Sequence, residues 1–100
     1  MMRITVHEKP EATTMQLEGK VVGPWTREFD QTWRLVAGSL GSKRLCVDLR
    51  EVLQMDADGR RVLAEIYKKT GADLLANTPM TKYFAEEARR EDLKSTKEKK

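Results

Sequence analysis

The fold of this chain is decided by residues 45–59, which read LCVDLREVLQMDADG. The first five of these residues are almost continuously apolar, which is typical of a parallel strand covered on both faces. A short connector then leads into a turn that carries two aspartates. Because aspartate is a favoured N-cap, Asp56 or Asp58 is expected to begin a helix that runs to about Thr70 and stops at Gly71.

Two strands and a helix are predicted before this stretch. Alternating apolar and polar residues predict a short strand at residues 4–7 and a second one at residues 12–21. The turn between them is so short that the two strands should pair antiparallel. Gly23-Pro24 then opens a helix, since proline is tolerated in a first helical turn. The apolar stripe of this helix consists of Trp25, Phe29, Trp33, Val36 and Leu40.

One strand and one helix are predicted after it. Residues 73–77 are apolar enough to form a short, buried strand parallel to its predecessor. Pro79 then occupies the first position of a third helix. Met80, Phe84 and Ala88 recur every four residues along that helix and should form its inner face.

The predicted order of elements is therefore ββαβαβα. Strands that alternate with helices require right-handed crossovers, so most of the sheet should be parallel. We predict an α/β fold in which a mixed, mostly parallel four-stranded sheet carries about three packed helices. The opening hairpin contributes one antiparallel edge strand. The domain should span residues 1–93, with a charged and disordered tail at residues 94–100.

Charge argues against a nucleic-acid partner. The net charge is +3, but residues 94–100 hold four lysines against one glutamate, which leaves the rest of the chain balanced. A nucleic-acid binder should show a basic stripe on its folded body. Binding through the lysine-rich tail is the alternative. Deleting residues 94–100 tests it, because such binding would be sensitive to salt and lost with the tail.

Hydropathy and cysteine content indicate the compartment. No apolar run approaches the roughly 18 residues that a transmembrane helix needs, so we predict no membrane insertion. The N-terminal residues lack the apolar stretch of a signal peptide. Cys46 is the only cysteine and cannot form an internal disulfide. A small domain without disulfides is typical of a reducing compartment, so we predict a cytoplasmic location.

Residues that carry chemistry are few. His7 is the only histidine, so neither a histidine-rich metal cluster nor a catalytic triad can be assembled. Cys46 lies in the most apolar strand and is expected to be inert. Asp48, near the end of that strand, should accept backbone hydrogen bonds from a nearby loop. Glu86 and Glu87 are adjacent on the third helix, so they cannot form an acid/base pair and should lie on a solvated face. We predict no catalytic residue, no metal site, no cofactor and no enzymatic activity.

The deciding stretch resembles the central motif of the STAS family. In that family, a buried strand ending in Asp-Leu is followed by a connector and an Asp-Ser-Ser-Gly turn that starts a helix. Residues 17–21 resemble the family's second strand, and residues 71–77 resemble the stretch after its second helix. The resemblance covers roughly residues 12–93. It implies a regulatory module without chemistry of its own.

The resemblance also implies what such a module binds. Stand-alone members of the family are bacterial anti-sigma factor antagonists, which bind a partner anti-sigma kinase. Other members are parts of anion transporters or of lipid-transport complexes. We therefore expect a protein partner, either an anti-sigma factor of the kinase type or a transporter component. The alternative function is an accessory subunit of a transport complex, or a module that responds to a small molecule or lipid.

The turn departs from the family pattern at its centre. Asp56 and Gly59 match the family's aspartate and glycine. Ala57 falls on the serine that the partner kinase phosphorylates, and Asp58 falls on the second serine. Arg60 stands where the family usually has an apolar residue. The resemblance thus implies a degenerate phosphosite at Ala57, since alanine has no hydroxyl to carry a phosphoryl group.

Three interpretations of this turn are open. In the first, Ala57 locks the domain in a permanently unphosphorylated, binding-competent state. In the second, the Asp58 carboxylate imitates the phosphorylated state. In the third interpretation the turn is only a helix cap. Acids in a first helical turn complement the helix dipole and would repel a phosphate ligand, so no anion site is expected here.

The predicted partner-binding surface combines two loops. The loop before the first helix and the turn that opens the second should meet where the carboxyl ends of parallel strands meet helix N-termini. Arg60 and Arg61 would make this surface basic and favour an acidic partner patch. Trp25 is either an anchor for the partner or part of the core. The predicted surface residues are Gly23, Trp25, Asp56, Ala57, Asp58, Gly59, Arg60 and Arg61.

Overall fold

Seven elements follow one another in the predicted order. The computed structural model describes residues 1–98, with side chains described for residues 1–90. The predicted limit at residue 93 and the predicted tail at 94–100 lie outside the described side chains and stay predictions. The elements are β1 (Met2–Glu8), β2 (Ala12–Val21), α1 (Pro24–Gly38), β3 (Arg44–Met55), α2 (Ala57–Thr70), β4 (Asp73–Leu75) and α3 (Pro79–Glu98).

The four strands form one mixed sheet in the order β1-β2-β3-β4. β1 pairs antiparallel with β2, as expected for two strands joined by a short turn. The other two neighbouring pairs, β2 with β3 and β3 with β4, are parallel. The prediction of a mixed, mostly parallel sheet with an antiparallel edge strand is confirmed.

The helices cover only one face of the sheet, so the prediction that the central strand is covered on both faces was wrong. Leu45, Val47 and Leu49 of β3 are at most 3% exposed and belong to the single apolar core. The intervening Cys46 is half-buried and Arg50 is exposed. Successive side chains of a strand point to opposite faces. The open, polar face of the sheet therefore carries the even-numbered residues of β3 only as far as Arg50, because the strand pairing is irregular there and Val52 is buried again.

Asp48 lies on this open face but is only 5% exposed. Its carboxylate accepts hydrogen bonds from the Arg50 backbone N–H at 3.0 Å and from two guanidinium nitrogens of Arg50 at 2.9 and 3.0 Å. The predicted backbone bond is present, but its donor lies two residues along the same strand rather than in a loop. The Arg50 bonds hold the pKa of Asp48 below its usual value.

The apolar stripe of α1 was predicted correctly except for Leu40, which lies beyond the end of the helix at Gly38, and the stripe of α3 was predicted less well. Phe29 and Trp33 of α1 are buried at 0% and 3% exposure. Met80 was predicted to lie on the inner face of α3, but it is 38% exposed. Phe84 and Ala88 are buried as predicted, and in the first turn the buried position is taken by Thr81, whose hydroxyl bonds back to Thr78. The buried residues of α3 are Thr81, Phe84, Ala85 and Ala88.

β3 is longer than predicted, and this length positions the two loops that are predicted to bind a partner. Residues 51–55 were expected to form a connector but continue the strand as far as Met55. They pair with the end of β2 as far as the Val21–Met55 pair, across two irregularities in register. The chain therefore leaves β2 and β3 at the same level, and the loops that follow begin side by side.

Candidate functional site

One carboxylate joins the two predicted loops. Asp56 accepts hydrogen bonds from the backbone N–H of Gly23 at 2.9 Å and of Gly59 at 2.8 Å. The Thr26 hydroxyl donates to the same carboxylate at 3.3 Å. The Asp56 backbone N–H donates to the Val21 carbonyl at 3.2 Å. The expectation that the start of α1 and the start of α2 meet at one end of the sheet is confirmed.

Asp56, and not Asp58, is the N-cap of α2. Burial by itself would raise the pKa of the Asp56 carboxyl. The backbone N–H groups of Gly23 and Gly59 and the Thr26 hydroxyl outweigh burial and hold that pKa below its usual value. The carboxylate is therefore charged at neutral pH and fully engaged by donors of its own chain.

Gly59 is required by close packing. A Cβ at this position would lie 2.8 Å from Cγ of Met55 and 2.9 Å from the carbonyl oxygen of Val21. The first turn of α2 can therefore approach the end of β2 only with a glycine. Gly23 is required for a different reason, since its φ of 57° with ψ of −130° is a conformation that L side chains rarely adopt.

Ala57 and Asp58 lie at the exposed start of α2. Both residues are exposed, and Ala57 is the first residue of the helix. The Asp58 carboxylate pairs with the Arg61 guanidinium at 2.7 Å, with both side chains more than two-thirds exposed. The negative charge beside Ala57 is therefore partly balanced by a positive charge one helical turn along.

Arg60 is directed toward α3 and is not free for a partner, contrary to the expectation that it forms a basic surface with Arg61. Its Nη1 donates to the Met55 carbonyl at 3.0 Å, and its Nε lies 3.0 Å from Oε1 of Glu87. That Glu87 oxygen is buried and makes no well-aligned hydrogen bond, so the contact is mainly electrostatic. Of the two arginines, Arg61 is the more exposed, at 76% against 35% for Arg60.

Glu87 was predicted to lie on a solvated face, and this was wrong. Its side chain is 26% exposed because α3 packs against α2. Thr26 was not predicted at the site either, although it is only 7% exposed and bonds Asp56. No local spacing could have linked Thr26 to an aspartate 30 residues away, because the contact depends on how β2 and β3 pair.

Trp25 is half-buried and packs against the edge of the core. It lies one residue before Thr26, so it stays within the same helical turn as the Asp56 contact. A shallow groove separates α1 from α2, and Gly23, Arg27 and Arg61 are among its lining residues, whereas Trp25 is not. The arrangement forms a continuous surface at the carboxyl ends of β2 and β3.

Two further observations concern the part of the chain that the structure describes. No group of three or more histidine, cysteine, aspartate or glutamate side chains is placed to hold a metal ion. None of the described helices has both the length and the apolar character that crossing a bilayer requires.

Comparisons with known proteins identify the fold. No family model matches the chain. No curated protein matches it either. Among solved structures, an anti-sigma factor antagonist from Mycobacterium paratuberculosis superposes with a TM-score of 0.70 at 22% identity, covering 83% of this chain and 74% of that one. The chain has the STAS-type fold of an anti-sigma factor antagonist.

The STAS-type fold also matches part of a larger protein. A structure of Mglu superposes with a TM-score of 0.58 at 19% identity and covers 75% of this chain. Mglu in its native form gives a TM-score of 0.53 at 18% identity over 74% of this chain. The chain spans 19% and 23% of these two Mglu chains. At these identities the likeness concerns the fold.

Proposed function

We propose that the chain is a non-enzymatic regulatory module that binds a protein partner in the cytoplasm, as an anti-sigma factor antagonist does. The supporting observation is the Asp56 carboxylate, which holds the starts of α1 and α2 together as one preorganised surface. Preorganisation favours binding, because less conformational entropy is lost when a partner docks. The partner in this proposal is an anti-sigma factor of the kinase type.

We further propose that the chain is always competent to bind its partner, because this turn is not controlled by phosphorylation. Ala57 occupies the exposed position of the family's phosphorylated serine and cannot accept a phosphoryl group. The neighbouring Asp58 is a weak substitute for a phosphate, because its single charge is paired with Arg61 at 2.7 Å. Asp56 alone caps α2, so the cap does not depend on Asp58. These contacts favour the binding-competent interpretation over imitation of the modified state.

Site-specific photo-crosslinking tests the location of the surface. A photoreactive amino acid replaces Arg61 at the proposed surface, or Lys9 in the β1–β2 turn at the opposite end of the sheet. We expect crosslinking in the native host to an ATP-binding anti-sigma protein from position 61 and not from position 9. Crosslinks from position 9 alone would show that the surface is misplaced. Crosslinks to a permease or transport ATPase would favour the alternative of a transport accessory subunit.

A second experiment tests the state of the turn with the captured partner. Ala57→Ser restores a hydroxyl, and Ala57→Glu adds a fixed charge at the same position. If the wild-type turn is binding-competent, Ala57→Ser should bind like the wild type until ATP is added, and Ala57→Glu should bind at least tenfold more weakly. If Ala57→Ser gains no phosphate and all three forms bind equally, the turn is only a helix cap.

A further inference from the structure

β1 is an edge strand whose outer side has no partner within the described part of the chain. It is seven residues long and pairs with β2 in continuous register without a bulge. Its sequence holds no proline and no lysine, and its charged residues Arg3 and Glu8 lie toward its two ends, which leaves the middle of the edge without the features that protect against pairing. An edge of this length is a template for another strand.

The direction of the free backbone groups follows from two bonds at the ends of the β1–β2 ladder. The Lys20 N–H donates to the Met1 carbonyl, and the Lys9 N–H donates to the Ala12 carbonyl, both at 2.9 Å. Hydrogen-bonded and non-hydrogen-bonded pairs alternate in an antiparallel ladder. Odd-numbered residues of β1 therefore bond to β2. The even-numbered residues direct their N–H and C=O groups outward, and they are Met2, Ile4, Val6 and Glu8.

Two of these residues, Ile4 and Val6, carry apolar side chains that the sheet leaves incompletely covered. Ile4 is half-buried and Val6 is 39% exposed, and both lie on the helix-covered face opposite Leu17 and Met15. A strand added outside β1 would bond the free groups and cover Ile4 and Val6 together. The occupant must therefore offer a strand with apolar residues at alternate positions.

We propose that this occupant is β1 of a second copy of the chain, giving a two-fold dimer with a continuous eight-stranded sheet. The two-fold axis runs perpendicular to the sheet through the antiparallel junction, which keeps the helices of both copies on one face. Residues that lie opposite each other across this axis are then both even-numbered or both odd-numbered. The register centred on Thr5 meets this condition and uses all seven residues of β1. It places Ile4 opposite Val6 of the second copy, where both are apolar and both have outward-directed backbone groups.

The charges of β1 are compatible with this register. Arg3 lies opposite His7 of the second copy, and Met2 lies opposite Glu8 of the second copy. No two carboxylates and no two guanidinium groups lie directly opposite each other, an arrangement that would weaken a cross-strand pair. A single strand edge is a small interface, so association is weak and depends on concentration. The surface at the starts of α1 and α2 is not part of this edge.

Sedimentation equilibrium of the whole chain tests the dimer. With increasing concentration from micromolar to near-millimolar, the mass should rise from the 11.5 kDa of one chain toward twice that value. Val6→Lys places a charge at the junction and should weaken association at least tenfold. Glu11→Lys, in the turn outside β1, should associate like the wild type. A mass that stays monomeric, or a dimer that Val6→Lys leaves unchanged, would overturn the proposal.

Disulfide trapping tests the register and does not depend on how well Val6→Lys folds. In a Cys46→Ser background, Thr5→Cys places the two thiols on the axis in a non-hydrogen-bonded pair with Cα atoms about 4.5 Å apart, which suits a disulfide. Arg3→Cys is the matched control, because its two copies lie four residues apart, or about 13 Å. Thr5→Cys should crosslink at least tenfold faster. Equal rates for the two variants would exclude this register.

Discussion

Asp56 shows how much of the site depends on a single side chain. The two oxygens of its carboxylate satisfy backbone donors of two helix starts and one hydroxyl, in three hydrogen bonds of 2.8–3.3 Å. Removing this carboxylate would leave the Gly59 N–H without a partner at a part-buried position, which costs more than the loss of a simple exposed cap. The residue therefore couples the stability of α2 to the geometry of the loop before α1.

Replacement of Asp56 by alanine should lower the free energy of unfolding by about 1–3 kcal/mol, the combined cost of a lost cap and an unpaired donor. Asp58→Ala, two residues further along the chain, is the matched control. Its exposed pair with Arg61 should contribute at most about 0.5 kcal/mol. Urea unfolding at neutral pH measures both. Equal effects of the two substitutions would contradict the role assigned to Asp56.

Gly59→Ala should destabilise the chain by about 1–3 kcal/mol, because the added methyl group overlaps Met55 and the Val21 carbonyl. Gly38→Ala is the control, since Gly38 also lies in a helix and a Cβ there meets nothing within 4 Å. Alanine is the better helix former, so Gly38→Ala should be neutral or stabilising by up to about 1 kcal/mol. Thermal or urea unfolding compares them. A neutral Gly59→Ala would show that the end of β2 can move.

At the scale of elements, different features fix the two ends of α2. Gly71, with φ of 66°, ends the helix in the left-handed conformation typical of glycine. At the start, Arg60 connects the helix to the carbonyl of Met55 in β3 and to Glu87 in α3. The unexpected arginine in the turn is therefore explained by packing between elements.

Arg60→Ala should be more destabilising than Arg61→Ala by about 1 kcal/mol, because Arg60 bonds a strand carbonyl and a half-buried acid whereas Arg61 is exposed. A double-mutant cycle with Glu87→Ala should give a coupling energy of about 0.5–1 kcal/mol between Arg60 and Glu87. The corresponding cycle for Arg61 and Glu87 should give none. Coupling in both cycles would mean that the effect is general charge and not this contact.

At the scale of the whole molecule, three carboxylates among the side chains of residues 1–90 have lowered pKa values. Bonds from Arg50 lower the pKa of Asp48. At Asp30 and Asp56, burial would raise the pKa, but hydrogen bonds from Arg34 and Trp33 and from the Gly23 and Gly59 amides, respectively, outweigh it. A carboxyl whose pKa is lower in the folded state stabilises that state above the unfolded pKa and loses this contribution as pH falls.

Stability should therefore be nearly constant around neutral pH and fall as the pH drops below about 4, the ordinary pKa of an aspartate. Urea midpoints measured from neutral pH to about pH 3 test this expectation. Asp48→Asn should reduce the acid dependence, because one of the three groups no longer titrates. An unchanged midpoint at about pH 3 would contradict the role of these carboxylates.

The sequence by itself determined the order of the elements, the mixed sheet and the pairing of the opening hairpin. These features follow from local patterns: alternation in β2, the apolar stripe of α1 and the aspartate and glycine that bound α2. Local periodicity encodes them because each element must bury one face. The STAS-type fold could be recognised for the same reason, from residues 45–59 and their place in this order.

The tertiary structure decided which groups meet. It showed that Asp56 rather than Asp58 caps α2, that Arg60 turns inward to Glu87, and that one face of the sheet is open. The first two outcomes depend on the extension of β3 to Met55, which brings its end beside the end of β2. Contacts between residues 27 to 33 positions apart, such as these, leave no periodic signal in a single sequence. They exist only once the strands are paired and the helices are packed.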